Sequence, residues 1–246
     1  NTVQLGQCGN QLGRVLNDTL FSHLAGTGGG AAGLGDEKAR RALLRYFAPR
    51  NVHQSTTGVY IGHDQIKGDG GADAFLARSV LVDMETKVVQ QCLAHVGTNR
   101  DPAAAVAGAR KQRTPARGSG SRAVVRQRQS EHHGQPRLHG PTRTWAYRPE
   151  AAFVRHSGSG NNWAAGYNTH ATGEDGAGWR IMDIVRAEVE RADYGVSAFL
   201  LLQSLAGGTG SGLGARVGEL LRDEYGGRAV VANTLVAPYS AGEVSV

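Results

Sequence analysis

A chain of 246 residues with 40% hydrophobic content is long enough to bury one large core or two small ones, so a globular class is expected. No run approaches the roughly 18 apolar residues of a membrane span, no secretory leader opens the chain, and two cysteines, Cys8 and Cys92, give neither a disulfide frame nor a zinc spacing. The formal charge of +6 is concentrated in one segment: residues 100–143 hold ten Lys or Arg against Asp101 and Glu131, while the rest has more acids than bases. The chain therefore reads as cytosolic, with a near-neutral folded body. Beginning at Asn1 rather than methionine and stopping at Val246 inside an apolar run, it is expected to be a fragment at both ends.

In chain order, a short apolar strand at Val3–Leu5 breaks at Gly6 and leads into a helix on which Leu12, Leu16, Leu20 and Leu24 recur at helical spacing. Gly26 to Asp73 is glycine-rich and irregular around an amphipathic piece near Leu43 to Phe47, and reads as long surface loops. A second strand, Val80 to Val82, ends at Asp83 and runs into a helix starting near Thr86. Residues 100–143, rich in Ala, Gly, Arg, Gln, Ser and Pro, show neither period and are expected to be a disordered insert between two parts of one domain, 1–99 and 144–246. After the GSGNNWA loop, a helix carries Ile181, Ile184, Val185, Glu188 and Val189 on one stripe. The strand Ala198 to Ser204 then leads through AGGTGSGLG into a helix, Leu213 to Arg222, and a last strand ends at Pro238. Apolar strands alternating with helices imply an α/β fold with a doubly wound, mostly parallel sheet, whose ligand sits at the carboxyl ends of the strands.

The informative motifs fall in the turns after strands and in one connecting loop. In Ala206 to Gly214, glycines bring successive backbone N–H groups against an anion and the following helix adds its positive end, with Thr209 and Ser211 as further hydroxyl donors. No GK[ST] occurs, so backbone amides and Mg2+ must meet the phosphate charge. Asp83 and Glu85 at a strand end suit a Mg2+ held mainly through waters, although Asp83 reads equally as a cap for the helix near Thr86. Gln7 and Cys8 are singled out by their place in the first such turn. Gly210, Gly212 and Ala215 also make a loose GxGxxA, which keeps an NAD(P)-dependent oxidoreductase as the alternative. Against it, the next strand ends in NTLVAP where a ribose-binding acid is expected.

These segments resemble the tubulin family: GQCGNQLG (Gly6 to Gly13), VDMET (Val82 to Thr86), SGNNWAAGY (Ser159 to Tyr167) and SLAGGTGSGLG (Ser204 to Gly214), in that order. Within the family TVQLGQCGNQ, VLVDME and SGSGNNWAAGYNTH are most similar to the delta branch. The resemblance implies a Rossmann-like GTPase domain, incomplete at its C-terminal end, that binds GTP and Mg2+. By matching positions, Gln7 and Cys8 meet the phosphates and the metal side, Gln11 the base side, and Glu85 with Asp83 the Mg2+ region. Gly160 and Asn161 approach the terminal phosphate, and Ala206, Gly207, Gly208, Thr209, Gly210, Ser211 and Gly212 wrap the phosphates with Ser204 beside them. Glu243 matches the ribose-contacting acid. Ala206 stands where most of the family has glycine, which requires an ordinary backbone angle there. The guanine-binding asparagine and the acidic loop that activates hydrolysis are expected beyond Val246, so no catalytic residue is assigned and hydrolysis is expected to depend on a partner. Implied partners are other tubulin subunits and centriole or basal-body components, in cytoplasm and cytoskeleton. No membrane partner is implied, and without aromatic interleaving the basic insert does not make a nucleic-acid site.

Overall fold

The structure is a computed structural model that describes residues 1–26, 37–50, 74–98, 143–155, 157–168, 176–192 and 195–237. Strand β1 (Thr2–Leu5) runs into α1 (Gly6–Gly26), followed by α2 (Glu37–Tyr46) and β2 (Phe47–Pro49). Next come β3 (Ala74–Ala77), β4 (Ser79–Asp83), α3 (Thr86–Leu93) and β5 (Val96–Thr98). Strands β6 (Thr144–Ala146) and β7 (Ala152–Val154) precede α4 (Trp163–Asn168) and α5 (Ala177–Glu190). The described elements end with β8 (Ala198–Ser204), α6 (Gly214–Tyr225) and β9 (Val230–Val236).

Five strands form a wholly parallel sheet in the order β7-β4-β1-β8-β9. The chain leaves the central β1 first toward β4 and later toward β8, so the strand order reverses at β1 and a crevice opens at the carboxyl ends on either side of it. This is the α/β architecture the strand–helix alternation implies. Every residue of β4 is buried, and its side chains alternate between two cores. Val80 and Val82 join Ile181, Val185, Val217 and Leu221 under α5 and α6, whereas Leu81 joins Phe21, Phe47, Val89 and Trp145 on the opposite face.

That second core holds what the sequence reading leaves out. Strands β2, β3, β6 and β5 make a separate mixed sheet, and α2 and β2 bury Leu43 and Phe47 completely where long surface loops are expected. Residues 27–36 and 51–73 of that glycine-rich stretch lie outside the described residues. In the same sheet β5 pairs antiparallel with β6, Thr98 opposite Thr144, so the basic segment departs and returns at the end of one ladder. Its expected disorder falls on 99–142, outside the described residues, while Arg143 at its edge donates to the Ala25 carbonyl.

Helix α1 buries the leucine stripe of its periodicity only in part, with Leu20 and Leu24 half-buried against the second core. Its buried positions include Gly9, Gly13, Asn17, Phe21 and Ala25, four residues apart, and Leu12 is 38% exposed. Close approach is the reason: a Cβ at Gly9 would collide with the Leu202 carbonyl, and one at Gly13 with the Gln4 side chain. The small residues bring α1 down onto the sheet and carry polar groups in with it. Asn17 Nδ2 donates to Ser79 Oγ (3.1 Å) and Tyr147 Oη (3.3 Å), and Tyr147 in turn donates to Gln4 Oε1 at 3.2 Å. Burial pushes the Tyr147 phenol far above its usual range, which keeps it a neutral donor in this network. On α5, Glu188 lies within the expected apolar stripe but is buried as a charge, with Arg191 Nη1 at 2.7 Å and Arg148 Nε at 3.1 Å.

Candidate nucleotide site

The crevice beside β1 is a cleft of about 490 Å3. Its first wall is the β1–α1 turn, where Gly6 takes φ +70 and a Cβ would stand 2.9 Å from the Gly210 amide nitrogen. A side chain there is both strained and obstructed. Asn10, buried one helical turn later, donates to the Gly6 carbonyl at 2.9 Å and the Val82 carbonyl at 3.1 Å, which ties this turn to the end of β4. The start of α1 therefore presents Gln7, Cys8 and Gln11 to the cleft with the positive end of the helix behind them. Burial raises the Cys8 thiol pKa, so the sulfur stays protonated.

Asp83 closes β4 and faces the same space. Its Oδ1 accepts from the Met84 and Glu85 amides at 2.8 and 3.3 Å, both ahead of α3, whose N-cap is Glu85 with no side-chain cap bond, so Asp83 braces the turn and does not cap the helix. Among the described residues the other oxygen, Oδ2, is buried with no hydrogen-bond partner. Burial pushes the Asp83 pKa up to about 6, opposed by the two amides and, more weakly, by the nearby Asn10 side chain, with the neighbouring Glu85 carboxylate adding to the rise. Glu85 lines the cleft beside it and lies near Gly158, whose added Cβ would stand 3.4 Å from Glu85 Oε1.

A tight turn forms the third wall. Gly160 and Asn161 both take φ +57, and the Asn162 amide donates to the Ser159 carbonyl at 3.0 Å. Asn161 is the one described non-glycine residue at positive φ, a conformation its short amide tolerates. Asn162 then caps α4, with Oδ1 accepting from the Ala165 amide at 2.9 Å.

The glycine loop forms the floor. Ser204 Oγ donates to the Val236 carbonyl at 3.3 Å and accepts from the Ala206 amide at 3.0 Å, which fixes the exit from β8. Left-handed backbone falls at Gly207, φ +86, and not at Ala206, so alanine is accommodated where a glycine is usual in the resemblance. Thr209–Leu213 then form a π-helical turn in which the Gly208 carbonyl accepts from the amides of Gly212 (2.8 Å) and Leu213 (3.2 Å). The wide turn opens the amino end of α6 toward the cleft.

Most of the residues expected from sequence thus meet in one place: Gln7, Cys8, Gln11, Asp83, Glu85, Gly160, Asn161, Ser204 and Ala206 to Gly210 all line it. Ser211 and Gly212 are buried beneath, and the Ser211 hydroxyl, expected to face an anion, donates to the Gly207 carbonyl and braces the loop. Glu243 lies outside the described residues. Leu5, Gly6 and Ser159 also line the cleft, although the sequence reading assigns none of them to the ligand and takes Gly6 only as the break after the first strand. Gly6 and Ser159 were signalled by lying inside the quoted motifs. Among the described residues no Lys or Arg lines the cleft, so the groups there that can meet an anion are backbone amides and the start of α1. Among the described residues no group of three His, Cys, Asp or Glu could cage a metal. Two carboxylates with one orphaned buried oxygen instead suit a Mg2+ that keeps waters and takes oxygens from a phosphate.

The family model described as Tubulin/FtsZ family, GTPase domain, matches residues 1–246. Among curated relatives, the human tubulin delta chain is 33% identical over 245 residues and the mouse tubulin delta chain 33% identical over 247, each covering all of this chain. A tubulin beta-2 chain from Suillus bovinus is 41% identical over 106 residues, which is 39% of this chain and 23% of that protein. The chain spans 39% of the length of the delta-chain relatives.

Proposed function

The chain belongs to the Tubulin/FtsZ family, GTPase domain, and from that premise we propose that its cleft binds GTP with Mg2+ as part of a delta-type tubulin of the cytoskeleton, at centrioles or basal bodies. The observation that carries this reading is the meeting of four loops around a cleft lined with backbone amides and, among the described residues, with no lysine or arginine and one unpartnered buried carboxylate oxygen. The glycine loop and the start of α1 hold the phosphates through N–H groups. Gln7, Cys8 and the Ser159–Asn162 turn close over the phosphate end, and Gln11 lies toward the base. Asp83 and Glu85 hold Mg2+, which neutralises the phosphate charge when bound. Ser204 and Ser211 act on the loop's shape. Family membership argues against the dinucleotide-dependent oxidoreductase, whose GxGxxA spacing starts here in a π-helical turn and ends in α6.

Among the described residues the carboxylates of the cleft are Asp83 and Glu85, both engaged at the metal side, which leaves none of these to orient an attacking water. Hydrolysis therefore depends on an acid supplied by another tubulin subunit, and turnover reports assembly. Phosphate release from the isolated chain is expected to stay at background at every protein concentration. Concentration-independent release, abolished by Glu85→Ala, overturns partner dependence. For binding itself, heat-denaturing the purified whole protein and chromatographing the supernatant is expected to release guanine nucleotide. A nicotinamide cofactor in that supernatant, or no saturable uptake of added GTP, overturns the reading.

A further inference from the structure

Helix α4 has six residues, too few to be stable alone, yet it carries the turn that closes the cleft. Because Asn162 both ends the turn and caps the helix, the two move as one body. Its near side meets the glycine loop backbone to backbone. A Cβ at Gly166 would collide with the Gly208 carbonyl, and one at Gly212 would stand 2.7 Å from the Tyr167 amide nitrogen. Such contacts set a distance but supply no directional bond to stop sliding. The directional contacts lie at the far end. Tyr167 Oη donates to Glu219 Oε2 on α6 at 2.8 Å, and Arg216 Nη1 donates to the same oxygen at 2.7 Å. The Tyr167 ring stacks on Trp163 (4.7 Å between centroids, 16° between planes), and the Arg216 guanidinium lies 6.0 Å from its centroid.

We propose that Tyr167, Glu219 and Arg216 form a latch between α4 and α6, making Tyr167 and Glu219 positioning residues that hold the Ser159–Asn162 turn over the terminal phosphate. This inference rests on the GTP reading of the cleft. GDP lacks the group the turn would meet, so the latch governs the ratio of GTP to GDP affinity and leaves GDP affinity unchanged. Tyr167→Phe keeps the ring stack and removes the hydroxyl that reaches Glu219 and Arg216. In calorimetric titrations of the whole protein with each nucleotide, the GTP-to-GDP affinity ratio is expected to fall about fivefold from its wild-type value. Glu219→Ala should give the same fall, and Glu219→Gln, which still accepts from the tyrosine, should restore most of the ratio. A ratio within twofold of wild type in both Tyr167→Phe and Glu219→Ala overturns the latch, as does an equal loss of both affinities, which marks a structural role only. A wild type that binds neither nucleotide instead overturns the GTP reading on which the latch rests.

Discussion

Among the described residues two carboxylates are buried, at opposite ends of the parallel sheet, and the fold treats them differently. Glu188, near the amino ends of the strands, is 1% exposed and held by Arg148 and Arg191, with Arg78 donating to the Arg191 carbonyl at 3.1 Å. Asp83, at the carboxyl end of β4, is 3% exposed, receives two amides on one oxygen and nothing on the other, and its pKa is raised to about 6. A buried charge is tolerated when paired, and left unpaired its pKa shifts toward the neutral form. On the function proposed above, the difference separates a charge the protein pairs itself from one that a bound cation would pair.

The largest effect is expected at the stabilising end. Glu188→Ala strands the mostly buried Arg148 guanidinium and is expected to cost about 4 kcal/mol in urea unfolding. Nucleotide affinity of the folded protein should be unchanged. A loss below about 1 kcal/mol would erase the contrast between the two acids.

Asp83→Asn is expected to act in the opposite direction. An acid whose folded pKa lies above its unfolded value near 3.8 binds protons more tightly when folded, so its contribution to stability declines as pH rises from about 4 to about 6 and stays lost above that. Without nucleotide or divalent cation, the amide should therefore stabilise the protein at pH 7 by roughly 3 kcal/mol and flatten this part of the stability curve. Destabilisation at pH 7 with the slope intact would mean that Asp83 is satisfied by the protein after all.

Gly208→Val sharpens the ligand end alone. Its first added carbon would collide with the Ser159 side chain and stand 2.7 Å from the Asn162 carbonyl oxygen, forcing the turn and the glycine loop apart. GTP affinity is expected to fall by roughly 30-fold, about 2 kcal/mol, in a filter-binding assay. Unchanged affinity would remove the glycine loop from the site.

The smallest effect concerns neither end. Thr98 and Thr144 are register partners, so replacing the 99–143 segment with Asn-Gly joins positions that already face each other. Unfolding stability is expected to change by less than about 1 kcal/mol. A protein that no longer folds would make that segment part of the core.

The ligand end was legible because glycine and acid punctuation after apolar strands has local causes: Gly6, Asp83 and Gly207 each mark a backbone turn. What was hidden depends on partners distant in the chain. Glu188 read as one position of an apolar stripe, since Arg148 lies forty residues before it. Periodicity assigned α1's buried face to its leucines because it weighs side-chain size, whereas Gly9 and Gly13 are buried for having none. Strands of three residues, one ending in Pro49, carried too short a pattern to reveal the second sheet. Ser211 looked like a ligand donor because sequence gives no sign that its hydroxyl turns back to Gly207.

The central claim is that Asp83 is left unpaired for a cation that arrives with a nucleotide, and titrating GTP into the whole protein with and without Mg2+ by calorimetry tests it most directly. The account predicts that Mg2+ tightens GTP binding by at least about tenfold in the wild type and that Asp83→Asn removes the gain. Equal affinities with and without Mg2+, or a gain that survives the substitution, would contradict it.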